Sequence, residues 1–117
     1  MALPKRYRLT RPKEFSQVYK KGQQASSRHL VIKFIELPDS ECSRFGITIS
    51  QKVSKRAVVR NRLKRQVRAA LQSLIPQLRQ HLWVVIILRR GASECDYWQF
   101  LQELEQLFTK LEVSDGY

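Results

Sequence analysis

Between Lys52 and Arg68 the chain carries Lys52, Lys55, Arg56, Arg60, Arg62, Lys64, Arg65 and Arg68, eight basic residues with no acidic one among them. A helix designed only to be soluble intersperses carboxylates at i,i+4 spacing to limit self-repulsion, and this segment has none. Cations at this density suit a row of phosphates. On a helical wheel with Leu63 at zero, Asn61, Lys64, Arg65 and Arg68 form one broad polar face, and Arg62 lies just beyond it. Arg56 and Arg60 fall on the apolar arc itself. Burying two unpaired guanidinium groups there would cost several kcal/mol each. The first two turns therefore project past the core, surrounded by cations, and the helix N-terminus adds free N–H groups and a positive dipole end suited to phosphate. Asn61 among arginines fits a base edge or a ribose 2′-OH, or an ordinary polar surface position. The bland alternative for the whole segment is a solvated helix with a basic face.

The rest of the chain must hold that helix up. Ser54 is a candidate cap for a helix running to about Leu74, with Val59, Leu63, Val67, Ala70, Leu71 and Leu74 sharing one arc and Pro76 just past its end. Residues 11–21 read as an earlier helix, with Pro12 in its first turn, Phe15, Val18 and Tyr19 on one face, and Lys20, Lys21 and Gly22 closing it. Residues 30–37 and 44–50 read as strands, joined as a hairpin through turn chemistry at Pro38-Asp39-Ser40. Leu82–Leu88 is a continuous apolar run, the pattern of a strand buried on both faces. Ser93 is placed as the cap of a final helix with Asp96 at its third position, and Leu101, Leu104 and Phe108 face the sheet. The order α-β-β-α-β-α is an α+β sandwich.

Composition narrows the partners. The chain has 117 residues, 22 Lys+Arg against 10 Asp+Glu, a net charge of +12 and 43% hydrophobic residues, which fits one folded domain rather than a disordered basic tail. The charge is segregated. Residues 1–41 carry nine basic and four acidic residues, residues 42–93 twelve basic and no acidic ones, and residues 94–117 one basic and six acidic ones. The acidic end reads as a soluble helix face on the far side. A polyanion relieves the repulsion of the middle segment, and nucleic acid is the first choice. An anionic membrane is a poor alternative, because the apolar arc of the basic helix lacks the Trp or Phe that interfacial helices use. The charged start lacks a secretory apolar region, and no apolar run is long enough to span a bilayer. Cys42 and Cys95 lie too far apart for a disulfide framework or metal-ligand spacing, so they read as two reduced thiols of a cytoplasmic protein.

At Lys55-Arg56-Ala57 and Arg60-Asn61-Arg62-Leu63-Lys64-Arg65 the sequence resembles the RNR signature of the bacterial ribonuclease P protein family. Tyr7-Arg8-Leu9 with Phe15-Ser16-Gln17-Val18-Tyr19-Lys20-Lys21-Gly22 resembles its N-terminal helix, and Arg44-Phe45-Gly46-Ile47 one of its strands. The resemblance spans about residues 5–110. It implies the ribosomal protein S5 domain 2-like fold with a left-handed βαβ crossover, against the usual right-handed rule. It implies an RNA subunit as catalyst, cleaving the 5′ leader from precursor tRNA with Mg²⁺ held mainly by RNA. No organic cofactor, no protein metal site and no protein catalytic residue are expected, and one protein binds one RNA. By resemblance, Lys55, Arg56, Arg60, Asn61, Arg62, Lys64, Arg65 and Arg68 face that RNA. Arg8, Phe15, Tyr19, Lys33 and Lys52 serve the single-stranded leader. Stacking on an exposed aromatic tolerates any sequence, which a variable leader requires. The ordinary alternative for Phe15 and Tyr19 is packing of the first helix on the sheet.

Two other functions compete. A nuclease acting without RNA needs clustered carboxylates or a paired acid and base, and the acid-free middle offers neither. His29 and His81, 52 residues apart, read as surface or strand-end residues. A ribosomal-type structural RNA-binding protein would share the composition and fold class, and the spacing of the RNR segment argues against it.

Overall fold

The computed structural model describes residues 7–36, 43–78 and 81–111. Three helices pack on one four-stranded sheet: α1 (Pro12–Lys21), β1 (Gln23–Ser26), β2 (Leu30–Glu36), β3 (Arg44–Thr48), α2 (Ala57–Leu74), β4 (Leu82–Leu88) and α3 (Tyr97–Lys110). The proposed turn at Pro38–Ser40 and the Cys42 thiol lie outside the described residues.

The strand order is β1-β2-β4-β3, with β2 antiparallel to both neighbours and β3 parallel to β4. This corrects the expected hairpin between residues 30–37 and 44–50. β2 pairs instead with β1, from Gln23↔Phe34 to Ser26↔Val31, and β4 inserts between β2 and β3. The polar Gln23-Gln24-Ala25-Ser26 has little strand propensity of its own, so tertiary pairing decides its conformation. The architecture is accordingly α-β-β-β-α-β-α, one strand more than the sequence pattern indicates.

Alternation divides the sheet into two faces. Leu30, Ile32 and Phe34 of β2, Phe45 of β3 and Leu82, Val84, Ile86 and Leu88 of β4 are buried in a core closed by Leu63, Val67, Ala70, Leu71 and Leu74 of α2 and Phe100, Leu104, Leu107 and Phe108 of α3. The opposite face packs Ile35 and Val85 against Leu9 and Val18, with Phe15, Trp83 and Ile87 half-buried around them. Residues of β4 thus meet apolar neighbours on both sides, as its unbroken apolar run requires.

Helix α3 begins at Tyr97, not after Ser93. Asp96 is its cap, its Oδ1 accepting from the Gln99 amide at 2.9 Å, and Ala92–Glu94 form a separate 3-10 turn. Gly91 precedes that turn with φ 94°, a left-handed conformation that glycine adopts without strain. Glu94, Asp96 and Glu105 are exposed, as a solvated acidic end requires, and Glu103 is the exception. Glu103 is buried and fastens the β1–β2 turn to α3, accepting from the Ser27 hydroxyl, from the His29 amide at 3.0 Å and from Gln99 Nε2 at 2.9 Å. His29 Nδ1 stands 2.6 Å from its Oε2. Burial opposes ionisation of Glu103, but the donors from Ser27, Gln99 and His29 outweigh it and hold the carboxyl below its usual range. The nearby Cys95 thiol is also buried. Burial first, then the Glu103, Asp96 and Glu94 carboxylates, push it up to about 11, so it is protonated at neutral pH. Among the described residues, no helix is long and apolar enough to cross a membrane.

Candidate nucleic-acid interface

Helix α2 starts two residues later than a Ser54 cap would place it. Arg56 occupies the cap position with extended backbone and no side-chain cap, and the first turn holds no acidic residue. Ser54 Oγ instead accepts from the Arg56 amide at 3.2 Å, stabilising the turn that leads in. The leading amides of α2 are left without a side-chain partner, at the positive end of the dipole.

No residue of α2 before Leu63 is buried, and Val58 is 73% exposed. Of the first two turns only Val59 packs against the core, half-buried, so Arg56 and Arg60 escape the full burial that their place on the apolar arc would impose. Lys55, Arg56, Asn61, Arg62 and Arg65 are exposed, and Arg60, Lys64 and Arg68 are half-buried. From Ala57 to Arg68 this surface extends about 18 Å along the axis. Two arms are held by carbonyls. Arg60 Nη1 donates to the Ser54 oxygen at 2.9 Å, and Arg62 Nη2 reaches the Ser93 oxygen at 3.2 Å. Neither contact cancels charge. Among the described residues the ion pairs are His29–Glu103 and Arg44–Glu14, both away from this helix.

The second surface is the α1 face of the sheet. Helix α1 is fixed there by Glu14, whose Oε1 accepts from the Thr10 and Arg11 amides at 3.1 and 3.0 Å and whose Oε2 accepts from Arg44 Nη1 at 2.9 Å. Burial raises the Glu14 pKa, but the two amides and the charges of Arg44 and Arg11 overcome it and leave the carboxyl below its usual value. Gly22 then ends the helix so close to β2 that a Cβ would stand 2.4 Å from the Val18 oxygen and 2.8 Å from that of Phe34.

Phe15 is half-buried, its ring lying over Gly46 of β3. Tyr19 is 43% exposed, and Lys33 Nζ sits 5.0 Å from its ring centroid. Lys33 pairs with Val85 and Val85 with Gly46, so Lys33, Val85 and Gly46 form one row across the sheet beneath α1. Arg8 bridges to Phe45, and the Leu9 amide donates to the Phe45 oxygen at 2.9 Å, placing Arg8 along the outer edge of β3. Lys52 is exposed in the turn after β3, its amide donating to Ser50 Oγ at 3.2 Å. The strand beneath Phe15 thus leads through Lys52 directly to the basic helix.

The basic set lies along α2 and the turn before it. In the second set Tyr19 and Lys33 are in contact and Phe15 lies along the same row, while Arg8 and Lys52 sit further along β3, and sequence reasoning left three neighbours out of this set. Arg44, Trp83 and Glu14 share this face, with the Arg44 guanidinium 6.0 Å from the Trp83 ring centroid. Their signal was the period-two alternation, which puts Arg44 in register with Trp83 on the side of Lys33.

The geometry has close counterparts. The family model described as Ribonuclease P matches residues 3–112. The ribonuclease P protein component of Cyanothece sp. (strain PCC 7425) is 46% identical, over 98% of this chain and 99% of the relative. That of Microcystis aeruginosa is 46% identical over the full length of both. Among solved structures, the Staphylococcus aureus RNase P protein superposes with TM-score 0.83 at 26% identity, over 92% of this chain and 97% of that one. The Thermotoga maritima RNase P protein superposes with TM-score 0.75 at 26% identity, over 85% and 92%.

Proposed function

The chain belongs to the ribonuclease P protein family, and from that premise we propose that it binds the catalytic RNA of ribonuclease P through α2 and the 5′ leader of precursor tRNA along the α1 face. The observation that carries this reading is the basic start of α2, with no residue buried before Leu63 and no carboxylate of the described residues paired to it.

Lys55, Arg56, Arg60, Asn61, Arg62, Lys64, Arg65 and Arg68 contact the RNA subunit. The arginines favour phosphates with their planar forks, and Asn61 takes a base edge or 2′-OH. Phe15, Tyr19, Lys33, Lys52 and Arg8 hold the leader, with Tyr19 as the stacking platform and the cations on the phosphates. Lys33, beneath the Tyr19 ring, holds that ring in place and adds a charge at the same point.

The bond is cut by the RNA. On the family's pattern Mg²⁺ is held mainly by the RNA, and no organic cofactor takes part. The protein's part is to neutralise phosphate repulsion and to orient the leader. It works in the cytoplasm as one copy per RNA. Its scaffold, residues 1–117 as one domain, has the ribosomal protein S5 domain 2-like fold with a left-handed β3–α2–β4 crossover.

Reconstitution tests the reading. Full-length protein is mixed with bacterial ribonuclease P RNA at low Mg²⁺, and release of the 5′ leader is followed. Release that depends on both components supports it. Cleavage by protein alone, or RNA activity indifferent to the protein, overturns it, as does preference for ribosomal RNA in a competition at fixed salt.

A further inference from the structure

On the side of the molecule away from the leader face, three potential metal ligands of different chemistry converge from three segments. They are His29 in the β1–β2 turn, Cys95 just before α3, and Glu103 two turns into it. One donor atom from each lies within 4.8 Å of the others. Cys95 is 8% exposed, and its sulfur has no hydrogen-bond partner among the described residues, whereas the Glu103 carboxylate beside it is held by Ser27, His29 and Gln99. A thiol at the edge of the apolar core thus meets an imidazole and a carboxylate, three donor types converging on one point.

We propose that His29, Cys95 and Glu103 form a zinc site that ties the β1–β2 turn to α3. Imidazole nitrogen, thiolate sulfur and carboxylate oxygen are the donors zinc accepts, and three protein ligands leave a fourth position for water. That position opens on a cavity of about 340 Å³ lined by Arg28, Glu94, Asp96 and Gln99 beside His29 and Cys95. Besides the carboxylate of Glu103 within the cluster, those of Glu94 and Asp96 lie beside it against one guanidinium, that of Arg28, a balance that attracts a cation.

Small side-chain movements suffice. Donors of a tetrahedral zinc stand about 3.3–3.8 Å apart, so the 2.6 Å contact between His29 Nδ1 and Glu103 Oε2 opens by about 0.7 Å as the ion enters between them. Oε1 of Glu103 keeps the Ser27 hydroxyl and the His29 amide, which orient the carboxylate as outer partners do in metal sites. The proton balance is simple. The Cys95 thiol releases its proton to solvent, and neutral His29 carries its own on Nε2. No redox step is involved.

Zinc sulfate added to the full-length, chelator-stripped protein under a thiol-free reductant tests the site. The expected result is one equivalent retained after desalting, a raised melting temperature, and, with cobalt in place of zinc, a sulfur-to-cobalt charge-transfer band. Cys95→Ser abolishes the band and weakens zinc binding by at least about tenfold, while Cys42→Ser changes neither. His29→Gln, whose amide can still donate to Glu103 and so preserves the fold, also weakens binding by at least about tenfold. Failure of the wild-type protein to retain zinc overturns the proposal. So does a cobalt band that survives Cys95→Ser or disappears with Cys42→Ser, or zinc binding unaffected by His29→Gln.

Discussion

The ring of Phe15 rests on Gly46 with no room for a side chain between them. A Cβ built on Gly46 would lie 2.6 Å from two ring carbons and 3.3 Å from the Leu9 Cβ. The glycine in β3 is therefore a seat for α1, and it sets the height at which that helix rides above the sheet. Gly46→Ala is expected to destabilise the protein by about 1–3 kcal/mol through overpacking. The check is thermal melting of Gly46→Ala, Phe15→Ala and the double variant. The penalty of the alanine at position 46 should shrink once the ring is removed, and an additive pair would show that the two do not interact.

Tyr19 is the most exposed aromatic on the α1 face, so its contribution falls on RNA rather than on the fold. Tyr19→Ala is expected to weaken precursor tRNA binding by about 1–3 kcal/mol while mature tRNA binding stays constant. Tyr19→Phe should retain most of the affinity, because it keeps the ring. Equal losses on both substrates would remove Tyr19 from the leader path.

The basic helix offers two kinds of arginine. Arg60 donates to the Ser54 oxygen and so also shapes the turn, whereas Arg65 is exposed. Arg65→Ala is expected to weaken binding to the RNA subunit and reduce the salt slope by about one, with an unchanged melting temperature. Arg60→Ala is expected to do the same and to lower the melting temperature as well. Circular dichroism melts beside filter-binding titrations separate the two effects.

Salt reads the whole surface at once. If the eight basic residues from Lys52 to Arg68 supply 6–10 phosphate contacts, RNA affinity falls about 10³–10⁵-fold between 50 and 200 mM salt. A flat response in a titration across that range would contradict an interface built on phosphates.

Glu14 links pH to the leader face. Its folded pKa lies below the ordinary 4.5, so the ionised carboxylate stabilises the fold above that value, and the contribution disappears as pH falls through the folded pKa. Glu14→Gln should melt at a lower temperature than wild type at neutral pH, with the gap closing below about pH 4.5. Glu103, lowered in the same sense, steepens the acid limb of both curves. Melting curves across the acid range are the measurement.

The helices were legible in sequence because each has a long periodic apolar arc: α2 ends at Leu74 as its pattern indicates, and α1 and α3 fall within a few residues of theirs. The start of α2 was misplaced because Ser54 satisfies the cap rule by composition, while its hydroxyl serves the turn before the helix. β1 went unseen because Gln23–Ser26 carries no strand signal and becomes a strand only by pairing with β2. The hairpin between residues 30–37 and 44–50 was a default drawn from adjacency in sequence, and nothing local encodes that β4 intervenes. The unburied start of the basic helix was readable because charge on an apolar arc is a contradiction that only exposure resolves. The Glu14–Arg44 pair and the Glu103 contacts with Ser27 and His29 were not readable, since these partners lie 30 to 76 positions apart.

The order of strands in the sheet has a consequence for synthesis. β4 is the last strand to leave the ribosome, and it is the one that joins β2 to β3. Until Leu88 has emerged, β3 has no strand to pair with and α2 has only half a surface to rest on. A nascent chain that stops short of residue 82 thus exposes an open sheet edge beside a cluster of cations. An unpaired edge of that kind is where incomplete chains pair wrongly, so the risk of misassembly ends only when β4 is made.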